Sequence, residues 1–180
     1  MNKLSVTQWA QNMITRQALV LDTETTGLEP GKIVDIAIID LKSGKTVFTS
    51  FINPGMPIPL EATRIHGITD TMVDLAPSFA ILRPLLDQVL SRHPCVIFNV
   101  DFDRTFLAAE GLPVNEYTFF CAMEQARRIY GWRRYNLQYA CQQEGIDTGT
   151  AHRAKDDALA TRNLILKWAG KKPGELFPVW

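Results

Sequence analysis

The sequence predicts an α/β fold, a mixed five-stranded sheet flanked by helices, from two observations. Its first third alternates short apolar runs with turn residues, and the remainder alternates compact apolar runs with helical stretches. A chain of 180 residues matches the usual size of one domain with one sizeable core. At 46% hydrophobic and 21% charged residues, with no low-complexity tract, internal repeat or like-charge block, it is neither disordered nor fibrous. One domain over residues 1–170 is expected, followed by a tail at 171–180.

Taken in order, residues 5–16 read as a short leading helix. Residues 18–24 are an apolar run rich in strand formers, closed by the turn-prone TTGLEPG. IVDIAIID (33–40) and TVFTSFIN (46–53) follow, separated by KSGK, so these three strands form an antiparallel meander. Pro77 stands at the start of the helix SFAILRPLLDQVLS, which Pro84 is expected to kink or split. A compact strand at 95–98 comes next, then helices around 103–110, 121–129, 136–144 and 154–169, with one more strand near 117–120. A ribonuclease H-like α/β fold satisfies that order. The tail GKKPGELFPVW carries Pro and Gly; Phe177 and Trp180 are expected to pack back on the domain rather than leave it, and to anchor a partner, a second copy or nothing.

Several classes of function are set aside by composition. No stretch approaches the roughly 18 apolar residues of a membrane span, and MNKLSVTQWAQNMITRQ lacks the apolar segment of a signal peptide, so a cytoplasmic location is expected. Cys95, Cys121 and Cys141 form no CxxC pair and are odd in number, which speaks against a disulfide framework or a zinc cluster. Formal net charge is zero, whereas a protein gripping long duplex carries a basic excess. Any hold on a polyanion must then be local, through metal ions, helix N-termini or a patch such as Arg127, Arg128, Arg133 and Arg134.

The acidic residues point to chemistry. Asp22 and Glu24, two apart on a strand, project from one face and can share a hard divalent cation that offsets their repulsion. Asp101 and Asp103 bracket Phe102 after a buried strand, where a helix cap is also wanted, and periodicity does not choose between them. In the last helix Asp157, Thr161, Leu164 and Trp168 share one stripe and Asp156, Asn163 and Lys167 another, so Asp157 points inward. Five helical positions turn about 140° beyond a full circle, which places His152 on the loop entering that helix. A loop histidine of ordinary pKa about 6.5 suits general-base work. Carboxylates so distributed suit Mg²⁺ or Mn²⁺, and paired ions about 4 Å apart can clamp a phosphodiester.

Three segments, DTETTGL, NVDFDRTFL and HRAKDDA, resemble in order and spacing the three motifs of the DEDDh 3′-to-5′ exonucleases over roughly residues 17–168. That family includes the proofreading subunit of bacterial replicative polymerase, and CAMEQARRIYG looks most like the exodeoxyribonuclease X branch. The resemblance implies that Asp22, Glu24, Asp103 and Asp157 hold two Mg²⁺ ions, for which Mn²⁺ can substitute, and that His152 takes a proton from the attacking water. It thereby selects Asp103 over Asp101. It further implies that Thr25, Thr26, Leu28, His66 and Phe102 contact the substrate, His66 alternatively capping its loop and Phe102 alternatively packing in the core. Phe98, Asn99 and Val100 before the second motif, and Asp35 in IVDIA, depart from the family's usual residues. The expected activity is release of nucleoside 5′-monophosphates from the 3′ end, of DNA in preference to RNA. An exoribonuclease, or a catalytically silent nucleic-acid-binding module, is the alternative.

Overall fold

A computed structural model describes residues 4–28, 31–131 and 136–170. Arg133, Arg134, Phe177 and Trp180, and with them the expected roles of the tail and of half the arginine patch, lie outside the described residues.

The chain opens with helix α1 (Val6–Thr15), begun by a reciprocal cap in which the Ser5 hydroxyl accepts from the Gln8 amide and the Gln8 side chain accepts from the Ser5 amide. Strands β1 (Leu19–Thr25), β2 (Ile33–Asp40) and β3 (Thr46–Phe51) form the expected antiparallel meander. Two short helices, α2 (Leu60–His66) and α3 (Asp70–Val73), follow. Helix α4 (Phe79–Leu90) then returns the chain to β4 (Cys95–Ile97). The order closes with α5 (Val100–Ala109), β5 (Phe119–Cys121), α6 (Ala122–Tyr130), α7 (Leu137–Glu144) and α8 (Ala154–Trp168).

The sheet order is β3-β2-β1-β4-β5, with β4 pairing parallel to both β1 and β5. The strand that begins the sheet in sequence is therefore its centre, and it is also the strand at which antiparallel pairing gives way to parallel. Alternation along β1 and β2 divides the core in two. Val20, Ala37 and Ile39 face α1, α6, α7 and α8, whereas Leu19, Leu21, Ile36 and Ile38 face α4 and α5. This is the mixed sheet flanked by helices that the sequence predicts.

Three differences from expectation have physical causes. Pro84 does not split α4, which is continuous from Phe79 to Leu90. Its ring removes only the amide that Ala80 would accept, on the exposed side, while Phe79, Leu86 and Leu90 bury against the sheet and carry the helix across the gap. The helix expected from 103 starts at Val100, so Asp101 and Asp103 both lie within its first turn and neither is its N-cap, which is Asn99. Helix α2, unforeseen, is short and ends on Gly67 in the left-handed conformation, φ 73°, with Pro59 before it.

Candidate active site

The site is built where the β1–β4 ladder stops. Its last pair is Leu21 with Ile97, so β1 runs on unaccompanied on that side, and the amide of Thr23 lacks a strand partner there. Asp103 of α5 supplies one: its Oδ1 accepts from Thr23 N at 3.1 Å and from Thr23 Oγ1 at 2.8 Å. Thr23 faces the α5 side, while Asp22 and Glu24 share the parity of Val20 and face α8. Asp157, in the first turn of α8, descends on them from that side. Carboxylates carried on opposite faces of the sheet thus meet around one strand end, and Asp22, Glu24, Asp103 and Asp157 all line one cavity of about 410 Å³ with His152. Crevices at the carboxyl ends of strands, where a sheet changes its sense, are where open α/β sheets bind ligands.

His152 precedes α8 on its entering loop with a left-handed backbone, φ 62°, a conformation disfavoured for a residue with a Cβ. Its amide donates to Asp157 Oδ2 at 3.2 Å. Ligand atoms of Glu24, His152 and Asp157 lie within 4.8 Å of one another. Asp157 Oδ1 is buried and has no hydrogen-bond partner. A buried carboxylate oxygen with no hydrogen-bond donor is what a cation would satisfy.

The electrostatics agree. Burial pushes Asp22 well above the ordinary carboxylate range, and Asp103, Asp157, Glu24 and Asp35 push it further. Glu24 is raised to about 8, first by burial and then by Asp157, Asp35 and Asp103, against which Arg153 acts. Asp157 rises to about 6 through burial, opposed by His152. Burial also raises Asp103, opposed by its two bonds from Thr23. Without a cation the fold holds these groups against their preference for ionisation, and a hard divalent ion on carboxylate oxygens relieves that directly. The residues present fit such an ion.

The residues expected at the substrate divide. Leu28, 81% exposed, stands at the cavity's rim. Phe102 lines the cavity and also packs on Phe106 at 4.9 Å between ring centroids, so both of its expected roles coexist. Thr25 lines it too, its hydroxyl donating to Gly27 O at 2.7 Å. Thr26 is buried and is not among the lining residues; its hydroxyl accepts from Lys32 N at 2.9 Å and closes the turn after β1. His66 lines the cavity as well. Ile68 N donates to its Nδ1 at 3.0 Å, which makes Nε2 the donor, and Nε2 meets Thr25 O at 3.2 Å. Both ring nitrogens are thus used inside the protein, and burial lowers its pKa, so His66 clamps α2 to the end of β1 while it also lines the cavity, where its expected contact with the substrate would be made.

Sequence reasoning missed Ile65, 59% exposed beside His66, as well as Met123, Asn136 and Gln138, all of which line the cavity. The Pro59 and Gly67 bracket would have revealed α2 and hence Ile65 one residue before the clamp. The other three come from α6 and from the cap and first turn of α7, distant in sequence, and carry no local signal. The three cysteines are free thiols, and no helix among the described residues is long and apolar enough to cross a membrane.

Comparison with known proteins agrees with this geometry. The sequence model of the RNase T family, described as Exonuclease, matches residues 19–165. An uncharacterized exonuclease, CP81, of Escherichia phage 186 is 32% identical, covering 89% of this chain and 92% of its own length. The DNA polymerase III subunit epsilon of Rickettsia conorii is 30% identical, covering 88% of this chain and 76% of its own. Of a PolC-type DNA polymerase III relative the chain spans only 12% of the length. Among solved structures, exonuclease X in complex with 5′-overhanging duplex DNA superposes with a TM-score of 0.65 at 27% identity, covering 88% of this chain and 96% of that one.

Proposed function

The chain belongs to the RNase T exonuclease family and is a hydrolytic exonuclease, and from that premise we propose that it shortens nucleic acid, DNA in preference to RNA, from the 3′ end with two Mg²⁺ ions. Residues 1–170 act as its single catalytic domain. The observation that carries this is the meeting of Asp22, Glu24, Asp103, Asp157 and His152 at one cavity, from β1, α5, α8 and the loop that enters α8.

The four carboxylates are the ligand set, since Mg²⁺ and Mn²⁺ are hard ions that favour oxygen, and His152 is thereby left for proton transfer. When bound, the cations neutralise charge developing on the phosphate and favour ionisation of the attacking water. Thr23 orients Asp103 through two bonds to one oxygen, and the His152 amide orients Asp157. The His152 ring, within reach of both Glu24 and Asp157, takes the proton as the water oxygen bonds to phosphorus. The bond to the 3′ oxygen breaks, that oxygen acquires a proton, and a nucleoside 5′-monophosphate leaves. Leu28 and Phe102 offer apolar surface to the terminal bases, which stack without regard to sequence. The preference for DNA is supported by the likeness to exonuclease X, solved on duplex DNA, and by polymerase relatives.

Incubation of 5′-labelled single-stranded DNA, recessed duplex and RNA with Mg²⁺ tests the reading. DNA ladders that shorten by one nucleotide per step, lost in His152→Ala and Asp157→Ala, are expected. Faster trimming of RNA would overturn the DNA preference, and full activity in both variants would overturn the assignment.

A further inference from the structure

Resting on the exonuclease reading above, we propose that Asp35 and Arg153 form a positioning pair that fixes His152 and Asp157 relative to Glu24. Asp35 lies directly opposite Glu24 in the β1–β2 register. It shares the parity of Ala37 and Ile39, so both carboxylates face α8. Like charges opposed across two strands destabilise a sheet, and Asp35 is only 5% exposed. Arg153 is the compensation: its Nε lies 3.5 Å from Asp35 Oδ2, an ion pair rather than a hydrogen bond. Its guanidinium stands 5.1 Å from the centroid of the Phe51 ring on β3.

Position in the chain gives the pair its consequence. Arg153 adjoins His152 and is the N-cap residue of α8, yet its own side chain makes no capping hydrogen bond. The amide of Ala154, first residue of that helix, is instead near enough to the Asp35 carboxylate to favour its charged form, so a strand carboxylate sits at the N-terminus of the helix. The start of α8 is thereby fixed to β2 at the register position of Glu24. Asp157 rides in the first turn of the fixed helix, and His152 is caught between the Asp157 carboxylate on one side and the Arg153–Asp35 pair on the other. A left-handed non-glycine residue persists only where its surroundings over-determine it, and these are its two anchors. Neither Asp35 nor Arg153 lines the cavity of His152 and Glu24. Both line the neighbouring one with Phe51 and Lys155, so they act through other residues.

The test uses the full chain with Asp35→Asn, Arg153→Gln, their double variant, and the charge-keeping Asp35→Glu and Arg153→Lys. Two readouts are needed: calorimetric titration with MnCl₂, and kcat and KM on a single-stranded oligodeoxynucleotide. Each neutralising variant is expected to weaken Mn²⁺ binding about 10- to 100-fold, the usual effect of removing a group that orients a metal ligand. Each should also lower kcat with KM within about twofold. The double variant should lose no more than the worse single one, because the pair acts as a unit. The charge-keeping variants should recover part of the loss. Wild-type Mn²⁺ affinity and kcat in both neutralising variants, an effect confined to KM, or losses that multiply in the double variant would overturn the pair. Should Asp35→Asn fail to fold, Arg153→Gln, at a side chain 34% exposed, decides alone. A wild-type protein that binds Mn²⁺ but releases no nucleotide would refute the exonuclease reading, and the titrations would still judge the pair.

Discussion

At Asp22 the demands of folding and of chemistry oppose one another. Burial and four acidic neighbours raise its pKa, so in the metal-free protein its charge is a burden that only a bound cation turns to use. Asp22→Asn is therefore expected to raise the melting temperature of the metal-free protein near pH 8. A gain of about 1 kcal/mol would appear as roughly 2–4 °C in a chain of this size. The same variant should nearly abolish nucleotide release, and a lower melting temperature in EDTA would contradict the account. At this scale the sequence reveals what a short period reveals. Strand alternation pairs Asp22 with Glu24, and the helical stripe turns Asp157 inward. It could not separate Asp101 from Asp103, because that choice depends on the unpaired amide of Thr23 past the end of β4. Asp35 and Arg153 were equally illegible, since their partnership exists only through the β1–β2 register and the docking of α8.

Among the elements, β4 and α4 show how packing overrides local preference. The brevity of β4 opens the window through which α5 delivers Asp103, and no propensity in CVIF announces that the strand stops at Ile97. Helix α4 keeps Pro84 in its interior, where Pro is about 3 kcal/mol less favourable than Ala. Pro84→Ala restores the amide to Ala80 at an exposed position and should stabilise the protein by about 1–3 kcal/mol, the lower end reflecting the greater freedom of the unfolded chain. Thermal melts check it, and nucleotide release should be unchanged because α4 lies beneath the sheet, away from the cavity. A fall in stability would show that Pro84 is preferred there. Helix α2 was invisible to hydrophobic periodicity because its seven residues bury only Ala62 and His66, too few to set a phase.

For the whole molecule, the clustered acids make stability depend on pH and metal together. Glu24 and Asp157 have folded pKa values, about 8 and about 6, above the unfolded carboxylate range of about 4. A raised pKa gives stability that is full below the unfolded value and is lost as pH rises through the folded one. In EDTA the melting temperature is thus expected to fall between about pH 5 and pH 8.5, less steeply in Glu24→Gln. Saturating MnCl₂ should remove the fall, because the ion binds the deprotonated cluster. A slope unaffected by Mn²⁺ would count against the site. The antiparallel sense of the first three strands was legible because the turns that join them are local, whereas the sheet order and the parallel pairing of β4 with β1 and β5 rest on contacts between segments far apart in the chain. The convergence of three motifs from both faces of the sheet was legible only through the family resemblance, since distance in space is not written in spacing along the chain. The most direct test of that convergence is anomalous diffraction from manganese-soaked crystals. Peaks enclosed by Asp22, Glu24, Asp103 and Asp157 are expected, and a map with those carboxylates apart and no peak among them would refute the shared metal site.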